Sequence, residues 1–154
     1  MACGSFSKAF EANMAALGLP APTSLFSSVQ AATGNLATML SALKTLGPNA
    51  TVAELIGATT GLEALGAVGA ILAAAYCGAV IGSLIVAADA AMVCTSTTSA
   101  IPSVQQWAMR NGVHVPPSMY SFISRHPEVL IQNSAFRPSY AYRMRKAAAA
   151  KAVA

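Results

Sequence analysis

The fold is decided by residues 64–88, which read ALGAVGAILAAAYCGAVIGSLIVAA and contain no Asp, Glu, Lys or Arg. As an α-helix rising about 1.5 Å per residue, this run would be roughly 37 Å long. That length crosses the hydrocarbon core of a bilayer with some tilt. The run therefore predicts a transmembrane-competent helix.

Small residues recur at every fourth position along this run. Four-residue spacing places them on one helix face, where missing side chains let a second helix approach closely. We therefore predict a helix-packing zipper that holds a homo-oligomer together in the membrane. With the preceding pair of glycines, its members are Gly57, Gly61, Gly66, Ala70, Ala74, Gly78 and Gly82.

Residues 61–63 leave two arrangements of the zipper segment open. If they bend, one long helix begins near Val52; if they break, residues 52–61 and 64–93 form a helical hairpin. Thr51 and Glu54 have the spacing of a capping box, which predicts a helix start at Val52. A further alternative is that the small face packs inside a water-soluble bundle.

Amphipathic helices are predicted on the N-terminal side of the zipper segment. Apolar residues follow helical spacing over 6–17, up to Gly18, and over about 24–46, up to Gly47-Pro48. We expect an all-α fold, a helical bundle around one long Gly/Ala-rich hydrophobic, transmembrane-competent helix or hairpin. Its regions are 1–50 (amphipathic helices), 51–100 (zipper segment) and 101–154 (basic, aromatic short helices).

The charge is unevenly distributed. Only 9% of the 154 residues are charged, against about 25% in average soluble proteins. Residues 1–100 hold two cations and four acids, whereas residues 101–154 hold seven cations and one acid. Basic and aromatic residues together are typical of a membrane interface, and a carrier protein would also fit them. The predicted contacts are Trp107, Arg110, Arg137, Tyr140, Arg143, Arg145 and Lys146.

Two acids flank the uncharged run. Glu63 precedes it and Asp89 follows it directly. Rings of acidic side chains at a pore mouth attract cations, so both residues are candidate pore-mouth charges. The alternative for Asp89 is a boundary residue that marks the end of the membrane segment.

We predict that the chain is not an enzyme. His114 and His126 have no carboxylate at a spacing that suggests pairing, and neither a nucleophile elbow nor a phosphate loop is present. Cys3, Cys77 and Cys94 include no CxxC pair, so neither a disulfide scaffold nor a zinc site is expected. We expect no catalytic residue, no metal, no cofactor and no nucleic-acid partner.

The segment from Val52 to Ser99, with its Gly57–Gly61 pair and Gly66–Gly82 ladder, resembles small glycine-zipper pore-forming effectors of bacterial type VI secretion. The resemblance implies an antibacterial toxin that inserts in the inner membrane of a target cell, oligomerises and dissipates ion gradients and membrane potential. It also implies a secretion-tube carrier or chaperone and a cognate immunity protein.

The sequence also predicts a localisation and leaves two alternative functions open. Residues 1–17 do not resemble a signal peptide, so we expect synthesis in the cytoplasm and release by a specialised system. One alternative is a non-toxic integral membrane or scaffold protein that oligomerises through the same zipper. The other is a soluble helical binding module with a buried alanine-rich helix.

Overall fold

The computed structural model describes residues 6–92, 100–131 and 134–153, without the side chains of 88–92, 100–103 and 151–153. The described residues are all-helical, and their one β-type pairing is an isolated antiparallel bridge between Thr51 and Leu72. The elements are α1 (Phe6–Ala16), α2 (Thr23–Phe26), α3 (Val29–Leu46), α4 (Val52–Ala58), the 3-10 helix η1 (Glu63–Val68), α5 (Ala73–Met92), α6 (Ala100–Asn111), α7 (Pro117–Arg125), the 3-10 helix η2 (Pro127–Val129) and α8 (Tyr140–Val153).

Local signals place most helix ends correctly. Helix α1 ends before Gly18, which has a φ of 78°, and α3 ends at Gly47, which has a φ of 99°. The predicted helix over 24–46 is interrupted, because the Ser28 side chain accepts a hydrogen bond from the Ala31 N–H and starts α3 as its N-cap. Thr51 and Glu54 form the predicted capping box at the start of α4.

The prediction of one helix through residues 64–88 is wrong. Residues 63–68 form η1, residues 69–72 form a turn, and α5 begins only at Ala73. Gly61, with a φ of 94°, separates α4 from η1, so residues 61–63 are a break rather than a bend. No helix among the described residues combines the length and the apolar character needed to cross a membrane.

Three backbone hydrogen bonds tie the turn before α5 to the start of α4. Val52 N–H donates to the Ile71 carbonyl at 2.9 Å, and Ala53 N–H donates to the Gly69 carbonyl at 3.0 Å. Ala73 N–H donates to the Ala50 carbonyl at 2.8 Å. An α-helix continuing upstream of Ala73 would need these same peptide groups for its own ladder, so the bonds explain why α5 starts there.

Helix α5 is the centre of the bundle. Its main neighbours are α1 and α3, and α4, α6, α7 and η2 also contact it. The core joins aromatic residues of the first helices to it: the Phe10 and Phe26 rings stack with centroids 4.9 Å apart, and Phe26 lies 6.4 Å from the Tyr76 ring. The amphipathic helices thus shield the most apolar element.

The prolines divide the C-terminal region into short helices as predicted. Helix α7 starts at Pro117 and η2 at Pro127. Helix α8 packs against the rest of the protein, because it buries a stripe formed by Tyr140, Ala141, Met144 and Ala148. The Ala141 N–H donates to the Leu17 carbonyl at 3.2 Å, which joins α8 to the end of α1.

Candidate functional site

The candidate functional site is the small-residue face of α5. Every described side chain and glycine of this helix, from Ala73 to Ala87, is buried. Among the described side chains of α5, the one polar group besides Tyr76 and Cys77 belongs to Ser83, which is completely buried. A helix that is apolar all round is expected either in a protein core or in a membrane, and here it lies in a core.

Gly78 and Gly82 face the protein's own C-terminal region. A Cβ at Gly78 would lie 3.2 Å from two ring carbons of Phe122 and 3.7 Å from the Met119 methyl group. A Cβ at Gly82 would overlap the carbonyl group of Val129. The close approach that the zipper predicts between two chains is therefore made within one chain, by α7 and η2 against α5.

Of the remaining small residues, Ala74, four positions before Gly78 in α5, shares that face, and the others lie outside the helix. Ala74 is buried in the first turn of α5, whereas Gly66 lies in η1 and Ala70 in the turn, both exposed. Gly57 is exposed on α4, and Gly61 is exposed in the turn after it. The predicted five-residue ladder from Gly66 to Gly82 on one helix face is absent from this fold, because Gly66 and Ala70 precede the start of α5. A Cβ added at Gly57, Gly61 or Gly66 would meet no atom within 4 Å.

A buried polar network holds α1, α5 and the segment before α8 together. Asn13 Nδ2 donates to Ser83 Oγ at 2.8 Å and to the Val129 carbonyl at 3.3 Å. Arg137 Nη2 donates to both the backbone oxygen and Oδ1 of Asn13. Burial lowers the pKa of Arg137. The carbonyl that touches Gly82 is thus fixed by a side chain of α1.

A second polar cluster links η2 to α8. Glu128 Oε2 accepts from Arg143 Nη2 at 2.8 Å and lies 3.3 Å from His126 Nδ1. Tyr140 OH donates to the Ala75 carbonyl of α5 at 2.7 Å. Burial, and secondarily the nearby Glu128 charge, raise the pKa of Tyr140 well above its usual range. Most of these contacts join residues at least 15 positions apart, which local patterns cannot show. His126 and Glu128, however, are two positions apart, so the prediction that neither histidine pairs with a carboxylate is wrong.

Of the two candidate pore-mouth acids, Glu63 is the one with a described side chain. Glu63 is exposed at the start of η1, where its Oε1 accepts from the Gly61 N–H at 3.2 Å. Asp89 belongs to α5 by its backbone, but its side chain lies outside the described residues. Cys3 and Cys94 also lie outside them. Among the described side chains, no group of three His, Cys, Asp or Glu residues is placed to hold a metal ion.

The predicted membrane or carrier contacts need correction. Trp107, Arg137 and Tyr140 are at most 8% exposed, so they cannot meet a surface in this fold, because their atoms are already packed or hydrogen-bonded inside the protein. Arg110, Arg145 and Lys146 are exposed, and the Arg143 side chain is 32% exposed. Among the described aromatic side chains, the most exposed are Phe136, at 65%, and Tyr142, at 62%.

Comparison of this chain with protein-family models, with curated proteins and with solved structures finds no match.

Proposed function

We propose that the chain forms ion-conducting pores, and that the described fold is a shielded state which must refold to insert. The observation that carries the proposal is the division of the uncharged run 64–88 into a buried helix and a segment held away from it. Joined into one helix, the run would have the length of a membrane span. Breaking the hydrogen bonds between α4 and the turn before α5, and re-forming them along the chain, would create that helix.

The backbone bonds at the turn have replacements within a longer helix. The Gly69 carbonyl, now bonded to the Ala53 N–H, would accept from the Ala73 N–H four residues later. The Ile71 carbonyl would accept from the Ala75 N–H in the same way. Helix η1 spans six residues, and 3-10 runs longer than three or four residues are uncommon because their hydrogen-bond geometry is poorer. For the peptide groups upstream of α5, refolding would therefore exchange hydrogen bonds rather than lose them, while the Val52 and Ala53 N–H groups in the first turn of α4 would pass to water.

In the proposed inserted state, α5 continues upstream through residues 63–72 into α4. The small residues from Gly57 to Gly82 would then return to one helix, and neighbouring chains would pack through them. Glu63 and Asp89 would lie near opposite ends of the uncharged span. Toxicity to a target cell, delivery by a type VI system, a carrier and an immunity protein belong to this proposal and rest on the sequence resemblance alone.

A disulfide lock tests the refolding step. A Cβ at Gly69 would lie 3.4 Å from the Cβ of Ala53, close to the roughly 3.5–4.5 Å found in disulfides. In one continuous helix these positions would be about 24 Å apart. We therefore expect Ala53→Cys/Gly69→Cys, with Cys3 and Cys94 changed to Ser, to release potassium from phosphatidylglycerol vesicles only after reduction.

The lock has a matched control and two informative failures. The parent with Cys3 and Cys94 changed to Ser should conduct equally with and without reductant, because its remaining Cys77 is buried. Equal flux from the oxidised and reduced double-cysteine protein would contradict the continuous helix and leave the hairpin about Gly61. Absence of flux in every state would contradict pore formation.

A second candidate function is a helical binding module whose small residues serve only internal packing. The contact of Gly82 with the Val129 carbonyl favours it, because this glycine is already required by the folded chain. The module predicts no ion flux from oxidised, reduced or parent protein. Variants of Gly78 or Gly82 cannot separate the two functions, since both would disturb the fold before any assembly is tested.

A further inference from the structure

The side of α8 opposite its buried stripe carries an aromatic–basic patch made of Phe136, Tyr142, Arg143 and Lys146. At about 100° per residue, Tyr142, Arg143 and Lys146 lie within an arc of about 100° on the helix. The Arg143 guanidinium lies 5.8 Å from the centre of the Phe136 ring, and the Lys146 ammonium lies 6.0 Å from that of Tyr142. Each exposed ring is thus paired with a cation.

The patch has a net positive charge, and among the described side chains the one acid that it pairs with is Glu128. Glu128 is the one acid in residues 101–154, and it is 4% exposed. Its Oε2 already meets Arg143 and His126. Lys146 and the neighbouring Arg145 are exposed on the same helix. A partner that covers this face therefore has to supply negative charge.

We infer that the aromatic–basic patch binds the surface of an anionic phospholipid bilayer. A bilayer interface accepts both kinds of group at once, with rings at headgroup depth and cations on lipid phosphates. Nucleic-acid bases stack on open ring faces, and a cation already lies over one face of each ring in the patch. Each ring therefore offers a base one face instead of two, whereas insertion among lipid headgroups needs no open face, so a lipid surface fits the patch better than a nucleic acid.

The inference deepens the proposed function, on which its biological meaning rests, by naming the folded surface that first meets the membrane. Arg143 connects the patch to the interior, since it also donates to Glu128 and to the Phe136 carbonyl at 2.7 Å. The binding test below measures lipid contact rather than ion flux. Vesicle binding without potassium release would therefore contradict the pore and support the patch.

The test is flotation of the full chain with phosphatidylglycerol vesicles and, in parallel, with phosphatidylcholine vesicles. We expect preferential binding to phosphatidylglycerol that weakens with added salt. Phe136→Ser/Tyr142→Ser should lower the partition coefficient about tenfold, and Lys146→Gln about fivefold. Circular dichroism should show the native helix content for both, because the altered side chains are largely exposed.

Matched controls remove the same chemistry elsewhere. Lys44→Gln takes one positive charge from the last turn of α3, and Met109→Ser removes an 83% exposed apolar side chain from α6. Both should bind vesicles like the parent protein. Equal losses in controls and patch variants, or equal binding to the two lipids, would overturn the inference. It would also be overturned if the patch variants lost binding to a single-stranded DNA oligonucleotide while vesicle binding stayed unchanged.

Discussion

The two parts of the uncharged run have similar composition and different structures. Residues 73–87 form a helix buried on all sides, whereas residues 63–72 form η1 and a turn that expose Gly66 and Ala70. Neither part contains a proline, and the one charged residue is Glu63, which starts η1 and directly precedes the uncharged run. Helices α1, α3 and α7 cover residues 73–87, whereas the start of α4 hydrogen-bonds to the carbonyl groups of Gly69 and Ile71. The difference therefore comes from tertiary contacts.

Adding one methyl group to each part tests the difference in packing most directly. Gly82→Ala should lower the free energy of unfolding by about 3 kcal/mol, because the new Cβ would overlap the Val129 carbonyl. Gly66→Ala is the matched control, since its Cβ would meet no atom within 4 Å. Urea denaturation of both variants measures the difference. Similar losses would contradict the distinction between a packed and an open segment.

Alkaline pH should destabilise the fold through ionisation of Cys77, which lies in the buried part of the run. Burial raises the pKa of this thiol from 9.0 to about 12. The unfolded thiol ionises first as the pH rises, so the stabilisation is complete below pH 9 and is lost between pH 9 and 12. Stability should therefore fall slowly near pH 8, where little of the unfolded thiol is ionised, and by about 1.4 kcal/mol per pH unit well above pH 9.

Urea denaturation under reducing conditions, at pH values between 8 and 10, measures this slope. Cys77→Ala should flatten the decline, even if the cavity it leaves lowers stability at every pH. A Cys77→Ala protein with the same pH dependence as the parent would show that ionisation of the buried thiol is not responsible.

The smallest effect is expected at the break between α4 and η1. Gly61→Ala should cost about 1 kcal/mol, because its φ of 94° disfavours a residue with a Cβ although the space is open. Gly57→Ala, on the exposed face of α4, should leave stability unchanged or slightly higher. Thermal denaturation of the pair measures this difference. An equally stable Gly61→Ala protein would mean that the break does not depend on the glycine.

The sequence predicts those features of the fold that depend on neighbouring residues. The capping box at Thr51, the α3 end at Gly47 and the α7 start at Pro117 each follow from local backbone chemistry. The prediction of one continuous helix over residues 64–88 is wrong because α4 hydrogen-bonds to the carbonyl groups of Gly69 and Ile71. Helix propensity and apolar spacing contain no information on that competition.

The candidate site is less predictable for the same reason. Small-residue spacing correctly identifies Gly78 and Gly82 as places of close approach, but it cannot say whether the neighbour is another chain or the same one. The aromatic side chains chosen from composition include the buried Trp107 and Tyr140, because composition carries no information on which ring a distant helix covers. Asn13 and Ser83 give no local signal at all, since they meet across 70 positions.

The contact between Arg137 and Asn13 can form only late in translation. These residues are 124 positions apart, and translation at about 5–20 residues per second separates their appearance by roughly 6 to 25 seconds. During that interval α5 has been made, but the Val129 carbonyl and the α8 stripe that complete its cover have not all emerged. We therefore expect the nascent chain to leave part of the apolar surface of α5 uncovered until α7, η2 and α8 have been translated.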